Sequence, residues 1–266
     1  MTMQERKALR SVLLVLAAAA AALVLPSLVL LALQLEYLYN VYVNLYTALA
    51  ALAATYLCFL ATHRLGGSPP HVVRPWMLAT LGLGLWAVAE VIWLCYTVTA
   101  GAPSEITVSD FLWLTGYAPL AAGLWGLSYP FLGKLRRLGY TRGQKGVLAA
   151  LVIALTLLVL AALEKMFTFG VERPHIFTLN VLYVLLDILM LAVSLAAVTA
   201  FSGGLLEVSL RFVAGGFILF ATSDLLYAVA ETYEFVPADI MYAFSYLLIA
   251  AGLWVYLRYM VPSSRS

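Results

Sequence analysis

Acidic residues stand beside aromatic rings in this chain, at spacings that recur. Glu90 has Trp86 four residues before it and Trp93 three after, and Asp224 has Phe220 and Tyr227 in the same two places. On a helix those offsets put each acid and its two rings on one face. Asp110 is followed by Trp113 and Tyr117, and Asp239 by Tyr242 and Tyr246, at i+3 and i+7 in both cases. Asp187 follows Tyr183 by four residues. A carboxyl group inside an apolar helix is costly in lipid and marks a functional position by default. It accepts hydrogen bonds as the carboxylate and donates one as the acid, so such groups can bind a ligand or move a proton. Each pattern also has a plainer explanation. An intramembrane acid can be a structural interhelical bond, worth roughly 0.6–2 kcal/mol. A carboxylate at a helix start complements the unpaired N–H groups there without any ligand. An aromatic stripe can be an interfacial belt.

The recurrence argues against accident. Residues 110–125 align with 239–254 without a gap at an offset of 129, and 85–93 align with 219–227 at an offset of 134. The difference of five is a longer loop in the first copy. Asn40-Val41 and Asn180-Val181 are a weaker echo. The chain therefore reads as two repeats, 1–138 and 139–266.

The composition says where these residues live. The chain is 64% hydrophobic and 11% charged, with a mean hydropathy of +0.99. That is an integral membrane protein, multi-pass, in a cell membrane, with the lipid bilayer as its main partner. Eight spans are predicted, near 12–33, 40–62, 75–99, 110–132, 146–168, 175–200, 211–232 and 238–260. The first is too long for a signal-peptide core of about 7–15 residues and reads as a membrane helix, with cleavage as the alternative. Gly and Pro runs at 66–70, 101–103, 139–146, 203–204 and 237 break the spans from one another. The expected fold class is all-α, a polytopic bundle of eight transmembrane helices in a tandem 4+4 arrangement.

Basic residues orient it. Thirteen of the fifteen Lys and Arg fall on one set of loops and termini, leaving only Lys165 and Arg173 on the other. By the positive-inside rule both termini are cytoplasmic. Four spans per repeat is an even number, so the two repeats enter the bilayer in the same direction. They are then related by an axis along the membrane normal. That relation predicts Glu90 facing Asp224 and Asp110 facing Asp239 across the axis.

Several function classes are excluded. A net charge of +2 without a long charged tail gives no basis for nucleic acid binding. No Cys/His spacing suits a metal, and no pair of histidines at one depth suits haem, so no metal or cofactor is expected. No nucleotide-binding or nucleophile-elbow motif appears. Cys58 and Cys95 sit at opposite ends of neighbouring spans and are not expected to bond.

Residues 86–90, 110–124, 183–187 and 220–253 together resemble the eight-span membrane input module at the N-terminus of many bacterial GGDEF/EAL diguanylate cyclases and phosphodiesterases. The chain departs from that pattern at Val184, where the family has proline. It also carries no GGDEF, EAL or kinase segment, so cyclase activity is not carried over. The resemblance implies a sensor or transducer whose effector is a separate cytoplasmic chain or membrane partner. A fainter resemblance links Gly216–Asp224 to the lysoplasmalogenase-like membrane hydrolases.

Three functions follow. The first is a non-enzymatic sensor or scaffold that binds a small or lipidic ligand, or a partner helix, in an outer-facing acidic and aromatic cavity. Glu90, Asp224, Asp110, Asp239 and Asp187 would line it, with Trp93, Tyr227, Trp113, Tyr242, Tyr117 and Tyr246. The second is an intramembrane hydrolase using Glu90 and Asp224 as catalytic acid and base. The third is a proton-coupled carrier.

Overall fold

The computed structural model describes residues 3–101, 103, 105–138, 174–200, 205–230 and 236–259, with isolated helical positions between 153 and 164. The fifth predicted span and the linker between the repeats lie outside the described residues. Among the described residues there is no strand. Seven long helices are α1 (Met3–Ala32), α2 (Glu36–Arg64), α3 (Pro70–Thr99), α4 (Val108–Leu138), α5 (Pro174–Ala200), α6 (Leu205–Ala230) and α7 (Val236–Tyr259). All but α4 hold a stretch long and apolar enough to cross a membrane. The protein is a multi-pass helical membrane protein. Most helices begin two to six residues before the predicted spans, because polar first turns and helix-tolerated prolines extend them. The α3 helix, for example, opens on Pro70 and runs through Pro75.

Helices α2 to α7 close into a ring, each packed on the next and α7 on α2. The α1 helix lies outside, against α2 and α7. Lipid supplies no hydrophobic drive for helix association, so close backbone approach must hold the ring together. Glycine supplies it. A Cβ on Gly82 would stand 2.8 Å from the Gly116 carbonyl of α4, and one on Gly216 would stand 2.7 Å from the Ser245 carbonyl of α7. Two turns further, Gly123 presses on the Pro75 carbonyl and Gly252 on that of Ser209. These contacts are related by the offsets of 134 and 129 read from the sequence. The α3/α4 and α6/α7 pairs are built alike. The seams α4/α5 and α7/α2 then join the halves.

The α1 helix shows how lipid is managed locally. Pro26 has no N–H, which leaves the Ala22 carbonyl without its intrahelical donor. The Tyr42 hydroxyl of α2 donates to that carbonyl, and Tyr46 donates to Ala19 at 2.7 Å. Both cysteines are free, Cys58 buried and Cys95 exposed, as their spacing implied.

Candidate functional site

At the centre of the ring Trp86 of α3 stacks on Phe220 of α6, centroids 4.4 Å apart and planes 13° off parallel. The two residues are related by the offset of 134, so they mark where the pseudo-twofold axis passes. Tyr117 packs edge-on to Trp86 at 5.0 Å, and Tyr246 packs edge-on to Phe220 at 5.8 Å.

The hydroxyls of these tyrosines cross between the halves. Tyr246 of α7 donates to Oε1 of Glu90 on α3 at 2.9 Å. Tyr117 of α4 lies 3.5 Å from Oδ2 of Asp224 on α6 and donates to Oδ1 of Asp187 on α5 at 2.6 Å. The first two contacts are equivalents of each other under the repeat. Glu90 takes a second bond at Oε1 from the Trp113 indole at 3.1 Å, and Trp93 packs beside Trp113 at 5.6 Å. Tyr242 packs on Phe220 at 4.5 Å and on Tyr246 at 5.8 Å. Glu90, Asp187, Asp224, Trp93, Trp113, Tyr117, Tyr242 and Tyr246 thus form one cluster.

Glu90 is 3% exposed and Asp187 1%, with Tyr117 and Tyr246 equally covered. Asp224, Trp93, Trp113 and Tyr242 are half-buried. Among the described residues, the deepest acids are covered and the more exposed members are Asp224, Trp93, Trp113 and Tyr242. Among the described residues, phenol and indole donors pack directly on these acids. A small apolar cavity of about 30 Å³ is lined by residues such as Cys58, Leu124 and Leu253, with Phe217 and Ile249 one turn below the aromatic stack.

Asp110 and Asp239 do not face each other across the axis. The Thr107 backbone N–H and hydroxyl donate to Oδ2 of Asp110 at 2.7 and 2.9 Å, so the Asp110 side chain caps the start of α4. Tyr183 of α5 donates to Oδ1 at 3.1 Å. Asp239 of α7 accepts from Tyr39 of α2 at 2.9 Å and from Tyr227 of α6 at 2.5 Å. One aspartate therefore ties the α4/α5 seam and the other ties the α7/α2 seam. A twofold relation makes residues equivalent, but only those beside the axis touch. Tyr39 was missed as a site residue. Its signal was four tyrosines within ten residues at 37, 39, 42 and 46, too many to be explained by lipid contact alone.

Among the described residues no group of three or more His, Cys, Asp or Glu could hold a metal. Two carboxyl-bearing seams and a central acid cluster, all held by phenols and indoles, form a hydrogen-bond system that couples the halves. No family model matches the chain, and no curated protein or solved structure is similar to it.

Proposed function

We propose that this chain is a membrane sensor or transducer module in which the occupancy and charge of the central acid cluster set how one half stands against the other. The observation that supports this most is the reciprocal pair of tyrosine contacts, Tyr246 with Glu90 and Tyr117 with Asp224, on either side of the Trp86–Phe220 stack. Each contact joins the two halves, and each depends on the charge of a buried acid. A small or lipidic ligand, or a partner helix, that takes a donor from either acid weakens one crossing bond and favours a small shear between packed helices. Half-buried Asp224 and Tyr242 are the first groups such a ligand meets. The resemblance to cyclase input modules agrees with this reading.

The test pairs spin labels at Glu105→Cys and Pro237→Cys, one on each half, in reconstituted protein with Cys58 and Cys95 replaced by Ala. Asp224→Asn should shift the distance distribution between the labels. An unchanged distribution removes the reading. The competing hydrolase is checked on vinyl-ether lysolipids. Turnover that Asp224→Asn abolishes would replace the sensor with an enzyme.

A further inference from the structure

Asp187 and Asp224 are short of donors. Asp187 is 1% exposed, its Oδ1 takes the Tyr117 hydroxyl, and its Oδ2 meets no donor among the described residues. The same hydroxyl stands 3.5 Å from Asp224, and the two carboxyl groups lie within hydrogen-bonding reach of each other. An ionised carboxylate only accepts. Two of them side by side, away from water and with one phenol between them, repel each other and leave acceptor capacity unfilled. No Lys, Arg or His pairs with either acid among the described residues. Among the described residues, the ionisable groups that face the pair are Glu90 from α3, Tyr117 from α4, Tyr183 from α5, Tyr227 from α6, and Tyr242 and Tyr246 from α7. All are acids or phenols, and none can supply a positive charge.

We propose that Asp187 and Asp224 form a proton-binding pair, one hydrogen shared between the two carboxyl groups while Tyr117 fixes Asp187. The protonated carboxyl donates to its neighbour, which removes the repulsion and fills the empty acceptor. Asp224, half-buried, is the side on which the hydrogen exchanges with water; Asp187 is the closed end. A proton suits the site because it needs no room. A hard metal cation needs a shell of about six oxygens. The pair has no counterpart around Glu90, whose Oε1 already has two donors. The site is thus asymmetric within a symmetric frame. This proposal names the ligand of the cluster described above. That its occupancy moves the halves rests on the sensor reading; the binding itself does not.

Infrared difference spectroscopy of the full chain, reconstituted in potassium buffer and titrated with pH, reads the C=O stretch of a protonated carboxyl. The expected result is a band at neutral pH that vanishes in Asp187→Asn and in Asp224→Asn, stays in Glu90→Gln, and moves in frequency in Tyr117→Phe. A wild-type protein without the band overturns the proposal. So does a band that survives both Asn variants, or one that sodium removes at constant pH. An unmoved band in Tyr117→Phe overturns it too, and that measurement needs neither Asn variant to fold. A titrating band alongside label distances that ignore pH would keep the proton site and remove the sensor reading.

Discussion

Tyr117 and Tyr246 do the same work for opposite halves, and phenylalanine keeps the ring of either while removing the donor. Tyr246→Phe leaves Glu90 with Trp113 and Tyr242. The expected loss is about 1 kcal/mol of unfolding free energy, the scale of an interhelical bond in lipid. Unfolding in mixed micelles measures it, and a variant as stable as the parent would show that the bond contributes nothing. Glu90→Ala should cost more, because it strips a partner from two buried donors at once. The acids were legible in the sequence because lipid makes each of them costly, so their presence needed a reason. Their partners were half legible. Tyr117, Tyr246 and Trp113 stood at helical spacing from an acid, but Tyr39 reaches Asp239 from a distant span, and no local pattern marks such a contact. The pairing of Asp110 with Asp239 failed for another reason. Sequence offsets reveal equivalence, whereas proximity depends on distance from the axis, which only packing sets.

Within the helices, small residues decide how near the backbones come. Gly216 faces the Ser245 carbonyl directly, while a Cβ on its neighbour Gly215 would find only the Leu248 Cδ1 at an ordinary 3.7 Å. Gly216→Val should therefore push α6 from α7 and cost about 1–3 kcal/mol, the usual penalty for overpacking. Gly215→Ala should leave stability unchanged or raise it slightly. Equal effects at the two positions would contradict the close approach. The kink-prone first helix offers a second comparison. Tyr42→Phe should destabilise the protein by about 1 kcal/mol, and much less in a Pro26→Ala background, where the Ala22 carbonyl regains its own donor. A thermal unfolding cycle of the four proteins reads the coupling. Where the structure describes a predicted span, its core was legible because unbroken apolar runs have few alternatives in a bilayer. The true helix starts were not, since prolines and polar turns extend a helix beyond its apolar stretch.

Across the molecule as a whole, charge asymmetry makes a claim about direction. Glu105, in the loop between α3 and α4, should face the external medium. A Glu105→Cys protein with Cys58 and Cys95 replaced by Ala should react with a membrane-impermeant thiol reagent in intact cells. Labelling only after lysis would invert the topology. The ring itself carries a consequence for how such a protein could arise and be taken apart. Because Tyr246 of the second half donates to Glu90 of the first, and Tyr117 of the first donates to Asp187 of the second, each half offers its sibling the surface it needs in return. Severing the covalent link between residues 139 and 146 should therefore leave two polypeptides that find each other when co-expressed and purify together. A single half made alone should seek a twin.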